Sequence, residues 1–202
     1  MDLSHYKKAW ENQPEEKNKI SDIEIYKMTQ SKSISIVKWI FIIGILEFIV
    51  LNSVAFFVDL DAAHEEYSKI GLKNFIIYSE IIAHIIAAIF VIIFYLNYRS
   101  INTVESTKNL MSKILKTRKT VKLYVLFNLV YMFFFMIVVI ISVVQTNLES
   151  LTSKQMILFV IGFAIFCLIV LVLVWLFYQL LYGILLRKLN KNYKSLSELE
   201  VK

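Results

Sequence analysis

The amino-acid sequence predicts an all-α integral membrane protein. The expected architecture is four transmembrane helices in an antiparallel bundle, with helical extensions on the cytoplasmic side. Three observations carry that expectation. Four apolar runs, at residues 34–58, 75–95, 121–144 and 156–186, each match or exceed the roughly 20 residues with which a helix crosses a hydrocarbon core of about 30 Å. None of them alternates polar and apolar residues as barrel strands do, and in lipid only helices and closed barrels satisfy their backbone hydrogen bonds. Helix breakers are scarce: four glycines and one proline in 202 residues. Composition agrees, since 58% of the residues are hydrophobic against about 45–50% in an ordinary soluble domain.

Residues 1–33 read as a cytoplasmic tail with short helices. Leu3, Tyr6 and Trp10 share one side of a short helix that Pro14 would end, a surface suited to a partner or to the membrane interface. Ser21-Asp-Ile-Glu24 has the form of a capping box, and Ile20 with Ile25 has the spacing of a hydrophobic staple, so a helix is expected to start near Asp22. The first apolar run begins too late, and is too long, for a cleavable signal peptide.

Residues 34–186 form the expected four-span domain. Its middle loop, 96–120, reads as helix, with Ile101, Val104, Met111, Ile114 and Leu115 on one apolar side. No Gly or Pro occurs between Gly71 and Gly162, so the second and third spans are expected to continue inward before turning. The last run is longer than a bilayer requires and passes into an amphipathic tail, 187–202. Tyr178, Tyr182, Leu185, Leu189, Asn192, Leu196 and Leu199 follow a heptad seam, with Asn192 as its polar position. Packing on the chain's other inner helices is the favoured role of that seam; a homo-oligomer contact is the second.

Polar groups inside the runs are the candidate site, because ionisable groups at membrane depth are costly and face partners or cavities. Glu47 lies mid-way along the first run. His84 and Glu80 lie one turn apart on the second, and Asn52 and Asn128 are further polar positions. Glu47 and His84 are expected to meet, with Glu80 nearby and Asn128 in the same polar cluster. Interhelical hydrogen bonding is weighed ahead of a proton- or ion-responsive role. Ser79, Ala83 and Ala87 form a stripe of small residues that permits close helix approach.

Orientation follows from the basic residues. Nineteen of the 22 Lys and Arg fall in the N-terminal part through Lys38, the middle loop with its edges, and the C-terminal tail; the exceptions are Lys69, Lys73 and Lys154. This places both termini and the middle loop in the cytoplasm. The same bias accounts for the net charge of +6 without a nucleic-acid partner. The single cysteine, Cys167, excludes an intrachain disulfide and a cysteine-based metal cluster, and is expected to pack as a small apolar residue. No zinc pair, phosphate-binding glycine loop or nucleophile turn is present. No catalytic residue, metal ligand or cofactor is assigned.

The segments Lys7-Lys-Ala-Trp10-Glu-Asn-Gln-Pro14, Ile23 to Met28, and Ser33 to Trp39 resemble small four-span membrane proteins of Bacteroidetes-type bacteria. Their genes often lie beside sigma-factor genes, and some carry an automatic label of beta-carotene monooxygenase. The resemblance implies a multi-pass membrane protein and carries over no catalytic residue. That oxygenase chemistry uses a four-histidine iron site, whereas the histidines here are His5, His64 and His84. The leading expectation is a non-enzymatic inner-membrane scaffold or regulator that acts through its cytoplasmic helices on a cytosolic regulatory protein. The runner-up is a small transporter or proton-coupled protein using Glu47, Glu80 and His84; a membrane enzyme is third.

Overall fold

Residues 21–53, 57, 59–102, 106–147 and 152–200 are described by the structure, a computed structural model. Leu3, Tyr6 and Trp10, proposed from sequence as a partner surface, lie outside the described residues, as does Val104. The elements are α1 (Asp22–Ser53), α2 (Leu60–Lys69), α3 (Lys73–Asn102), α4 (Thr107–Thr146), α5 (Ser153–Tyr178), a π-helical turn (Gln179–Gly183) and α6 (Ile184–Glu200). Among the described residues there is no strand. Four helical stretches are long and apolar enough to cross a membrane, in α1, α3, α4 and the continuous run from α5 through α6.

Helix starts follow local chemistry. The Ser21 amide donates to the Glu24 carboxylate at 3.1 Å, and the Glu24 amide donates to Ser21 Oγ at 3.3 Å, completing the capping box expected there. Asp59 accepts from the Ala62 amide at the head of α2, and Ser106 accepts from the Asn109 amide at the head of α4. Between α2 and α3 the chain turns at Gly71, whose φ of 72° is left-handed. The Leu72 and Gly71 amides there donate to the Tyr67 and Ser68 carbonyls, a helix-end pattern that glycine favours because it lacks a Cβ.

α1 packs on α3 and α6, α4 packs on α3, α5 and α6, and α2 rests on α3. Each long helix of the core presents a seam of alternating three- and four-residue steps, the spacing that keeps one helical face on a neighbour. On α1 the seam is Ser33, Val37, Ile40, Gly44 and Glu47. On α4 it is Leu110, Ile114, Thr117, Val121 and Tyr124.

Two buried clusters result. One joins Val37, Ile101, Leu110, Ile114, Leu189 and Leu196. It lies at the basic end, where residues 22–37, 98–102, 107–121 and 184–200 converge. The other joins Ile40, Phe90, Phe94, Val121, Tyr124, Tyr178 and Tyr182 further along the bundle. The C-terminal heptad seam is filled by the chain's own helices. One expectation needs correcting: Leu115 is exposed and Leu110 is the buried residue. Leu115 follows the seam residue Ile114 by one position, which turns it about 100° away from the core.

α5 differs from the other long helices. Its side chains are largely exposed, and Leu158, Leu168 and Leu173 are prominent among them. A groove of about 260 Å³ runs between α4 and α5, lined by apolar residues including Cys167.

Candidate functional site

Glu47 is the polar residue of the α1 seam, and its partners are tyrosines. The Tyr178 hydroxyl donates to Glu47 Oε1 at 2.6 Å, and the Tyr182 hydroxyl donates to Oε2 at 3.0 Å. Each carboxylate oxygen thus receives one O–H. Tyr124 of α4 stands across from this pair, its ring edge-on to both tyrosines at 6.0 Å. Asn128 Nδ2, on the same helix, donates to the Tyr124 carbonyl at 2.9 Å. A carboxylate from α1 is therefore held by hydroxyls from the end of α5 and the π-helical turn, with the Tyr124 ring of α4 packed beside them.

Two backbone features make room for this. Gly44 lies one turn from Glu47 on the same seam, and a Cβ there would stand 2.8 Å from Phe94 Cδ2. The glycine lets α3 bring Phe94 against the tyrosine cluster, where its ring meets Tyr124 edge-on at 5.4 Å. The π-helical turn widens the helix where Tyr182 must join Tyr178 on one face; such turns recur at functional positions. Gly44→Val should lower thermal stability in detergent by about 1–3 kcal/mol, because Phe94 is buried and has no space to yield. Gly162→Ala, with open space around its Cα, is the comparison. Equal melting temperatures for the two variants would remove the close-approach argument.

The four polar residues expected to cluster are divided. Glu47 and Asn128 share the tyrosine site. Glu80 and His84 do not reach it: His84 Nδ1 lies 2.6 Å from the Glu80 carbonyl on its own helix, with its ring exposed. The Glu80 carboxylate instead meets His64 Nε2 of α2 at 3.4 Å. The expected contact between Glu47 and His84 is thus not formed. Glu80 and His84 each follow a residue of the small stripe, Ser79 or Ala83, by one position. The stripe itself faces inward, with Ser79 buried, so the two ionisable groups are turned out of the core. Asn52 donates to the Phe48 carbonyl within α1.

Sequence reasoning assigned Tyr178 and Tyr182 only to a packing seam, and passed over Tyr124 and Asn97. Asn97 is buried and donates to Thr120 Oγ1 at 3.2 Å, tying α3 to α4. Asn192 donates to Ser33 Oγ at 3.0 Å, tying α6 to α1. A detectable signal was present in the spacing. Ser33 and Glu47 are fourteen residues apart on one seam, and Tyr178 and Asn192 are fourteen apart on the other. Running the two seams in opposite directions matches both polar pairs at once.

The family whose sequence model matches residues 23–201 is described as a domain of unknown function, DUF8845. No curated protein and no solved structure matches the chain.

Proposed function

We propose that this chain, which belongs to the DUF8845 family, is a non-enzymatic scaffold or regulator of the bacterial inner membrane. In this reading the four apolar helices cross the bilayer with alternating direction. Both termini and the basic end lie in the cytoplasm, where the helices act on a cytosolic regulatory protein.

One observation carries the proposal. Ser33, Ile101, Leu110, Ile114, Leu189 and Leu196 are sealed completely from solvent, and all six lie beyond the four apolar runs. A fully packed layer is therefore built outside the stretch that a bilayer would cover. A protein that only conducts solutes has no need of such a layer, whereas one that presents a rigid surface does. Ile23, Met28 and Leu115 are exposed around this layer, and exposed apolar groups outside lipid mark contact surfaces.

Topology and partner are tested together. Reporters fused after Asn18, Lys69, Lys113, Glu149 and Ser197 should read inside, outside, inside, outside, inside. Photo-crosslinking residues at Ile23, Met28 and Leu115 in living cells should yield one discrete protein adduct that Leu158, on exposed α5, does not. An external signal at Lys113 overturns the orientation; adducts to lipid alone at all four positions overturn the scaffold.

A second reading, a proton-responsive protein, has the Glu47 carboxylate and its tyrosines in its favour. Against it, Glu80 and His84, the groups that would extend a proton path, are held elsewhere on α3. Glu80 and the Phe90 level of the tyrosine cluster differ by ten residues, about 15 Å of helix. Proton uptake by reconstituted vesicles that Glu47→Gln abolishes would favour this reading over the scaffold.

A further inference from the structure

Beside the Ser33–Asn192 pair, α1 and α6 leave a cleft of about 390 Å³. Thr29, Lys32 and Ser35 line it from α1, and Lys188, Lys191 and Ser195 from α6. Three lysines and three hydroxyl residues thus line one cleft, and none of the lining residues is acidic. Among the described residues the ion pairs are His64–Glu80 and Lys69–Glu66, so none of these lysines has a carboxylate partner. The floor is rigid: Thr29 and Ser33 are buried, and Asn192 is held by Ser33.

The charge bias of inner loops explains why lysines are present on this side, but not why three of them line one cleft that has no acidic residue in its lining. Such lysines repel unless an anion lies between them. Phosphate oxygens suit the set, because they accept from ammonium and hydroxyl donors together.

Position identifies the source of the phosphate. Lys188 follows the end of the last apolar run by two residues, and Ser35 is the second residue of the first. Trp39, one turn further along α1, is exposed, and tryptophan settles at headgroup depth. Beyond the cleft, Ile184 and Leu180 on one side and Leu46 on the other are exposed apolar side chains, a surface for acyl chains.

We infer that the Lys32–Lys188–Lys191 cleft is a binding site for the phosphate headgroup of an anionic lipid in the cytoplasmic leaflet. The inference rests on the transmembrane placement and orientation proposed above, and is independent of the scaffold role.

Full-length protein in nanodiscs of zwitterionic lipid doped with phosphatidylglycerol provides the test, with bound lipid counted by native mass spectrometry. The Lys32→Gln/Lys188→Gln/Lys191→Gln variant should bind the anionic lipid about a hundredfold more weakly, at about fivefold for each lysine near the surface. Lys113→Gln/Lys116→Gln/Lys119→Gln removes the same charge from α4 and should retain binding within about threefold, the screened long-range share. Equal losses in the two variants would mean a diffuse field and overturn the site, as would no loss in either. In lipid-free detergent, inorganic phosphate provides the second arm. If millimolar phosphate raises the melting temperature of the native protein as much as the lipid does, and the cleft variant abolishes both effects, the ligand is a soluble phosphate and the lipid assignment fails. Reporter fusions on the same variants separate a failed site from a failed orientation.

Discussion

Leu189→Ala should destabilise the protein by about 2–5 kcal/mol, the cost of an unfilled cavity in a packed core. Leu189 is completely buried among Val37, Ile101, Leu110, Ile114 and Leu196, and those neighbours belong to helices α1, α3, α4 and α6. Truncation therefore opens a cavity in the cluster that these four helices share. Leu158→Ala on exposed α5 removes the same atoms and should change stability by less than about 0.5 kcal/mol, as surface substitutions do. Reversible unfolding in mixed micelles measures both. Equal effects would mean that the layer at the basic end is not the mechanical core of the molecule, and the scaffold reading would lose its foundation.

Glu47→Ala should cost about 2–3 kcal/mol. Hydrogen bonds to a charged group are worth about 1.5–3 kcal/mol in soluble proteins, whereas polar contacts between membrane helices average about 0.6 kcal/mol with a maximum near 1.7. Glu47 receives two, from Tyr178 and Tyr182, and is only half-buried, so the smaller scale applies to each bond. The remainder comes from two tyrosine hydroxyls left without an acceptor. That asymmetry gives the decisive measurement. Combining Glu47→Leu with Tyr178→Phe and Tyr182→Phe removes donors and acceptor together, and should recover most of the stability that Glu47→Ala loses. A triple variant less stable than Glu47→Ala would show that the tyrosines are held by something other than the carboxylate.

Much of the fold was legible because the signals were local. The Ser21–Glu24 box marks the start of α1, and the absence of Gly and Pro after Gly71 allows α3 and α4 to extend past their apolar runs. The heptad from Tyr178 to Leu199 identifies the buried face of α6 correctly, since burial there depends on spacing alone. Leu115 was misplaced because Leu110 and Leu115 are equally apolar, and only the orientation of the packed helix distinguishes them. Glu47 was matched with His84 because depth along the helix can be counted from sequence, but direction around it cannot. His84 is mid-way along its own run, but it lies on the wrong face and about 9 Å of helix from the Phe90 level of the tyrosine cluster. The π-helical turn left no mark beyond Gly183, since Gln179–Gly183 contains no other residue that disfavours a regular helix.

The bond between Glu47 and Tyr178 spans 131 residues of chain. At about 5–20 residues per second of synthesis, roughly 7–26 s separate the making of the carboxylate from the making of its donor. Ser33 waits longer still for Asn192. For that interval Glu47 is without its two hydroxyl donors, and a later segment of the chain supplies them. The Glu47 site is therefore completed only once α5 and the π-helical turn have been made. A chain that stops short of Tyr178 carries Glu47 without either hydroxyl donor, a mark that sets an incomplete copy apart from a folded one.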